Sequence, residues 1–335
     1  MLKSKNILFI LGVLASAIFV VSITEAHTTV LYDPFQWAGE FDPYDQPDSD
    51  YFYYMSLVPE PFFADDGEII NRRNSTHTLD ITPFEKTVSK SFGGSLDHTK
   101  NLILAKQFFA ISAGQKLRCE LNTKTEILHA NLHPFGDLVD DFDRDIRLGA
   151  CGLTMIDFNT WTAFHLLQTN RENHPAYQRL PNGQGSLGLG PYQAFIQSKS
   201  GVSERWHDDY NNLAIEYDRS ASTVEWSVDG SIIHSISDVG VPDFDMVTLL
   251  DNGGNATEIS LSGALCGFGC YTLMDGSNPL NDTSTEGLAM LVSIPGYYEH
   301  PTSFNDTSSD LTSRVFGQGA IASRKRFKVS IHTSA

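Results

Sequence analysis

Three short runs constrain most strongly what this chain can become: Leu213–Asp218 (LAIEYD), Thr223–Val228 (TVEWSV) and Ser231–Ser237 (SIIHSIS). Each alternates apolar with polar residues, the period of a strand with one covered face. Asp229-Gly230 stands between the second and third runs. That dipeptide supplies the positive φ a type I′ hairpin turn demands. Val224, Trp226 and Val228 then share one face, which assigns Trp226 to a core.

The pattern recurs along the chain. Further strands are predicted at Leu102–Phe109, Gln115–Asn122, Arg147–Asp157, Thr162–Gln168 and Phe327–His332, with turn clusters at Pro181–Gly185 and Asp251–Asn255. Amphipathic helices are scarce. Many short strands set off by turns argue for an all-β sandwich or barrel with few helices. Residues 27–335 read as a single β-sandwich domain, with a loop-rich stretch near 278–310. Arg324, Lys325, Arg326 and Lys328 are expected on the solvated face of the last strand, opposite Phe327, Val329 and Ile331.

The N-terminus indicates the compartment. Lys3 and Lys5 precede the apolar run Ile7–Ile23, and Thr24-Glu25-Ala26 ends in a small residue. Residues 1–26 therefore read as a secretory signal peptide cut before His27. A signal anchor is the alternative, since the run approaches spanning length. The expected location is the secretory lumen or the outside of the cell, with no membrane partner after cleavage.

The chain carries a formal charge of −18, and the leader's Lys3, Lys5 and Glu25 add one positive charge, which leaves the remainder at −19. Such a surface repels nucleic acid and anionic membranes. Four cysteines (Cys119, Cys151, Cys266 and Cys270) in an exported chain imply two structural disulfides, with three pairings open. Cys266-Gly-Phe-Gly-Cys270 can close its own loop, or each of its cysteines can reach back to Cys119 and Cys151. Sequons at Asn74, Asn255, Asn281 and Asn305 are compatible with a glycoprotein.

Several segments carry a resemblance. The hairpin NLAIEYDRSASTVEWSVDGSIIHSI is similar to one common in concanavalin A-like jelly rolls. FFADDGEI (Phe62–Ile69), LDHTKNLI (Leu96–Ile103), HPFGD (His133–Asp137), DIRLGACGLTMIDFNTW (Asp145–Trp161), PAYQRLP and LDNGG (Leu250–Gly254) resemble an uncharacterised family from actinobacteria and fungi, known only as a domain of unknown function. The resemblance runs from about Tyr32 to near Asp275. It implies a concanavalin A-like sandwich and no particular activity.

The richest polar cluster on predicted strands lies between Arg147 and Arg179. Met155 and Asp157 share parity on one strand, Trp161, Ala163 and His165 on the next, and Tyr177 and Arg179 on the one after. Such a polar-aromatic floor suits a sugar ring and its hydroxyls. His165, Asp157, Tyr177 and Arg179 are candidate catalytic residues, with His165 nearest a physiological pKa. Glu120, Trp161, Asn170, Tyr177 and Arg179 are candidate ligand contacts. Each has a structural alternative: Asp157 as the cap of the Phe158–Thr160 turn, His165 as a satisfied core histidine, and Arg179 paired with Asp143 or Asp145.

Sandwich glucanases need two close carboxylates, presented on one strand as E-x-D-x-E or E-x-D-x-x-E, and this chain has no such motif. The acidic run Asp137–Asp145 offers Asp140, Asp141, Asp143 and Asp145 as a candidate calcium loop, without EF-hand spacing. No cofactor is expected beyond calcium there. Three functions follow in order: a secreted carbohydrate-binding, less readily carbohydrate-cleaving, protein; a secretory-pathway isomerase or cyclase with a small-molecule pocket; and a structural or adhesive wall protein. A glycan or a small molecule is the expected partner, and oligomeric state is left open.

Overall fold

The computed structural model describes residues 27–33, 35, 52–54, 68–72, 76–81, 99–133, 135–185, 188–251, 253–275, 288–291, 301–303 and 318–334. The strands in chain order begin with β1 (His27–Asp33), β2 (Phe52–Tyr54), β3 (Glu68–Arg72), β4 (Thr76–Ile81), β5 (Thr99–Ala105), β6 (Phe109–Ala110) and β7 (Gln115–Leu128). The middle of the chain gives β8 (Ala150–Asp157), β9 (Thr162–Gln168), β10 (Asn173–Arg179), β11 (Phe195–Ser198), β12 (Asn211–Asp218), β13 (Thr223–Val228) and β14 (Ser231–Ile236). The rest are β15 (Val247–Asp251), β16 (Gly263–Tyr271), β17 (Met274–Asp275), β18 (Leu288–Leu291), β19 (Pro301–Ser303) and β20 (Gly319–Thr333). Helix is confined, among the described residues, to single 3₁₀ turns such as Ala130–Leu132.

Two antiparallel sheets make an all-β sandwich. One runs β14-β13-β12-β7-β20-β4-β3, with β1 also on β20; the other runs β15-β11-β10-β9-β8-β16-β5-β2, with β6 on β16. β17, β18 and β19 form a small third sheet, two strands of which fall in the stretch expected to be loop. The predicted hairpin is present, with Asp229 at φ 51° and Gly230 at φ 85°.

Inward residues of both large sheets meet in one core that includes Leu117, Leu121, Phe164, Leu166, Trp226 and Phe327. Trp226 is fully buried, and its indole N–H crosses the core to donate to the backbone carbonyl of His165 at 2.8 Å. This bond ties the centre of one sheet to the centre of the other.

The disulfides follow the reach-back alternative. Cys119 on β7 joins Cys266 on β16, linking the sheets, while Cys151 on β8 joins Cys270 on β16, its cross-strand partner. They close separations of 147 and 119 residues, each worth about 5 kcal/mol in the loop-entropy picture. They fit an oxidising compartment. Among the described residues no helix is long and apolar enough to cross a membrane. The proposed leader and the sequons Asn74, Asn281 and Asn305 lie outside the described residues, whereas Asn255 is exposed on the surface.

The last strand departs from expectation. β20 pairs β4 along its first part and β1 along its second, and its register against β7 shifts between Arg324 and Arg326. This bulge puts Lys325 and Arg326 both outward. Arg324 is thereby turned into the interior, fully buried with its guanidinium 4.5 Å from the Phe268 ring. It does not join the solvated face.

Candidate functional site

The expected polar-aromatic floor divides between the two faces of one sheet. On β9 and β10, Ala176 lies opposite His165, and Tyr177 lies opposite Phe164. His165 therefore points to the outer face of the nine-stranded sheet, and Tyr177 to the core. The Tyr177 ring stacks on Phe164 at 5.2 Å, and its oxygen accepts a 2.5 Å hydrogen bond from Gly240 N–H. Arg179 also turns inward. It donates to the carbonyls of Gly240 (3.2 Å) and Thr257 (2.8 Å) and lies over the Tyr192 ring at 3.8 Å. Carbonyls and a ring hold it, where Asp143 or Asp145 had been expected.

The other candidates also separate. Asp157 ends β8 and caps the turn, accepting from Asn159 N–H at 3.0 Å and from Thr160 Oγ1 at 2.9 Å. Burial raises its pKa, and these hydrogen bonds pull it back. Trp161 follows at φ 54°, edge-on to Phe158, over a Gly183 whose added Cβ would sit 2.2 Å from the indole. Asn170 clamps its loop to β7: it donates to the Ile127 carbonyl and Asp143 and accepts from Ile127 N–H.

Glu120 lies on the outer face of the other sheet, 3.0 Å from Lys328 and 3.4 Å from Arg118. Burial pushes its pKa up, but Lys328 and Arg118 outweigh this and hold it below the ordinary value.

The acidic loop is engaged in its own structure. Asp141 accepts from Asp143 N–H and pairs with Arg144, Asp143 accepts from Asn170, and Asp145 pairs with Arg147 at 2.6 Å. Asp140 is exposed. Among the described residues no three His, Cys, Asp or Glu side chains gather as a metal-ligand set.

What does assemble is a chain of neutral polar groups around His165. Thr154 on β8 is its direct cross-strand neighbour, and Gln178 lies diagonally across on β10. Gln178 Nε2 donates to His165 Nε2 at 2.6 Å. Nδ1 then carries the ring hydrogen and donates to Thr154 Oγ1 at 3.0 Å. Thr154 and Tyr271 share one further hydrogen bond of 2.7 Å. Two hydroxyl hydrogens and one bond between them leave one donor without an acceptor among the described residues.

Tyr271 reaches Thr154 because its own strand gives way. Along Cys266-Gly267-Phe268-Gly269-Cys270, the Cys and Phe side chains enter the core while both glycines face outward. A Cβ on Gly269 would come 2.7 Å from the Tyr271 hydroxyl. The missing side chain is what lets that ring lie along the sheet, 5.1 Å from the His165 ring.

The chain of groups opens into a cavity of about 40 Å³, walled by Leu167, Ala176, Ile196, Leu249 and Leu273 besides His165, Gln178 and Tyr271. Tyr177 borders it from its strand, with its ring in the main core. The volume holds a few water-sized positions, at ~10–15 Å³ each. Among the described residues, no carboxylate, lysine or arginine lines it. Burial lowers the His165 pKa to about 3, so the imidazole is neutral at physiological pH. Burial raises the Tyr271 hydroxyl, with the Thr154 bond opposing. The lining is neutral and contains no strong base, and the Arg324 cation beyond it opposes the rise at Tyr271 alongside the Thr154 bond.

Sequence reasoning named His165 and passed over Thr154, Gln178 and Tyr271. The glycines alternating with Cys266 and Cys270 were the available signal, since outward glycines on a strand mark a close approach.

The profile of a family described as being of unknown function, DUF6081, matches residues 69–333. A relative, the uncharacterized protein L829 of Acanthamoeba polyphaga mimivirus, is 24% identical over 306 residues, spanning 73% of this chain and 69% of that one. Among solved structures, an endo-1,3-beta-glucanase from Streptomyces sioyaensis superposes with TM-score 0.43 at 13% identity, covering 91% of this chain and 96% of the other. An endo-beta-1,3-glucanase from Pyrococcus furiosus gives TM-score 0.43 at 12% identity, covering 92% and 96%.

Proposed function

This chain belongs to the DUF6081 family, whose function is unknown, and we propose from its own site that it is an extracellular ligand-binding protein. Its ligand is small, neutral and mainly apolar, with one hydrogen-bond acceptor such as a carbonyl or ether oxygen. The observation that carries this reading is the uncharged Gln178–His165–Thr154–Tyr271 chain ending in an apolar cavity. An apolar wall with one convergent donor selects a ligand by shape and by a single polar contact. Charged ligands would lose their hydration there without gaining a counter-charge.

The same groups favour binding over catalysis. A histidine with a pKa near 3 is a weak base, far from the value that suits proton abstraction at neutral pH. Glycoside hydrolysis needs a pair of carboxyls, and none lines this cavity.

The test uses residues 27–335 with cyclopentanone, a small neutral ketone matched to the cavity, followed by ligand-observed NMR. Ala176→Leu fills the cavity, and Tyr271→Phe removes the donor. Binding should be abolished by the first and weakened about tenfold by the second, the effect of one net hydrogen bond. Ketone binding that survives Ala176→Leu, or no binding to folded protein, would refute the reading.

Carbohydrate recognition is the second reading, and a different surface favours it. Trp206 is 57% exposed and is backed by the Arg171 guanidinium at 4.0 Å. A solvent-facing indole held from behind is a stacking platform for a sugar ring.

A further inference from the structure

We infer that Trp206, Tyr210, Arg171, Lys325 and Arg326 form one saccharide-binding strip selective for acidic sugars, those bearing carboxylate or sulfate. The inference rests on the carbohydrate reading and adds the charge of the ligand to it.

The strip is rigidly founded, and its two aromatic residues stand close together in sequence on one segment. The segment before β12 is pinned by Arg205, a buried cation donating to the carbonyl of Thr125 at 3.0 Å and also to that of Thr169. Trp206 follows, and Asp209 N–H closes a turn onto its carbonyl at 2.9 Å. Tyr210 comes next, with Lys325 Nζ 3.6 Å and Lys124 Nζ 5.6 Å from its ring centre. Arg326 then donates to Asn212 at 2.9 Å, one strand away from Asn122. Aromatic faces and cations thus neighbour one another along one rim, with the exposed Asp208 and Asp209 between Trp206 and Tyr210.

Charge gives the selectivity. In a chain of net charge −18, Lys124 is paired with Asp208 at 3.4 Å. Among the described residues, Arg171, Lys325 and Arg326 have no carboxylate within ion-pairing distance. The β20 bulge is what exposes Lys325 and Arg326 side by side; a regular strand would bury one of them. A cation standing over a ring offers an anion and a sugar face adjacent places, so one monosaccharide satisfies both. A densely charged polyanion such as nucleic acid meets the repulsion of the whole acidic surface. A sparsely charged saccharide meets much less of it.

The experiment measures binding of residues 27–335 to oligogalacturonate and to its methyl ester, and to a sulfated galactan oligosaccharide and its desulfated form. Single-stranded DNA of similar length is the polyanion control. At least one acidic sugar should bind about tenfold or more tightly than its neutralised counterpart. The preference should vanish in the Lys325→Ala/Arg326→Ala variant, and Trp206→Ala should lose both sugars. These side chains are exposed, and an unchanged Tm confirms that each variant is folded. Equal binding of acidic and neutralised forms would overturn the charge selectivity and leave the carbohydrate reading standing. Binding of none of the four overturns both. DNA binding equal to that of the acidic sugars would replace the saccharide with a general polyanion.

Discussion

The outer faces of the two sheets are built on the same two-residue period and have opposite chemistry. On the eight-stranded sheet, β7 and its neighbours present a ladder of ions: Lys116 with Glu216 and Asp218, Arg118 with Glu120 and Glu216, and Lys328 with Glu120. Every partner keeps contact with solvent, and the ladder adds solubility more than stability. On the nine-stranded sheet the outward positions of β8, β9 and β10 include Thr154, Ile156, Ala163, His165, Leu167, His174 and Ala176, all buried, with Gln178 half-buried. There polarity is carried by the neutral, internally bonded His165 chain and by buried His174. One face meets water through paired ions, and the other is already buried and keeps neutral side chains.

Moving a charge from one face to the other should break this contrast most severely. Ala176→Glu places a carboxylate beside His165 with no cation near it, and an unpaired buried charge costs about 3–5 kcal/mol. Urea midpoints should fall accordingly, or the variant should fail to fold. A loss below about 1 kcal/mol would mean that the outer face of β10 is wetter than its burial indicates.

Acid sharpens the comparison, because the faces should fail in different pH windows. His165 stays neutral in the fold down to about pH 3, and His174 to about pH 4, both through burial. In the unfolded chain each takes a proton near pH 6.5. The unfolded state then binds more protons, so stability is complete above ~6.5 and drains as pH falls toward the folded values. The slope cannot exceed about 1.4 kcal/mol per pH unit per histidine. Glu120, held below the ordinary carboxylate value, contributes stability that is complete above that value and goes only at lower pH. Chemical denaturation from pH 7 to pH 3 should thus show an early loss that His165→Gln reduces and a later one that it leaves alone. An unchanged early phase in His165→Gln would assign the acid response to other groups.

How much of this was legible beforehand depends on whether a feature is local. The β12–β13–β14 meander was readable because Asp229-Gly230 dictates its own turn, and Trp226 went to the core by parity alone. The cap formed by Asp157 was readable for the same reason. Relative phase between strands was not. Whether Tyr177 or Ala176 faces with His165 depends on the register through the Thr169–Glu172 turn, and a slip of one residue reverses every side chain. The same blindness hid the bulge at Lys325, which sends Arg324 inward. Disulfide partners needed the sheet order. Tyr271 was overlooked because the cysteines around Gly267 and Gly269 drew attention to sulfur, when the glycines were clearing a path for its ring.

The smallest expected effect tests the charged face by itself. Lys328→Met keeps the aliphatic stem of the side chain and removes the 3.0 Å ion pair with Glu120. Lys328 is 32% exposed and Glu120 22%, so water and salt already screen the pair, and the loss should be at most about 1 kcal/mol. Arg118 remains 3.4 Å from Glu120, which limits the change further. In 1 M salt the screening length falls to about 3 Å, and wild type and variant should become indistinguishable in urea midpoint. A loss that persists in high salt would show that Lys328 acts through the packing of its stem, and the ion ladder would then be a covered surface, closer in kind to the His165 face than its charges imply.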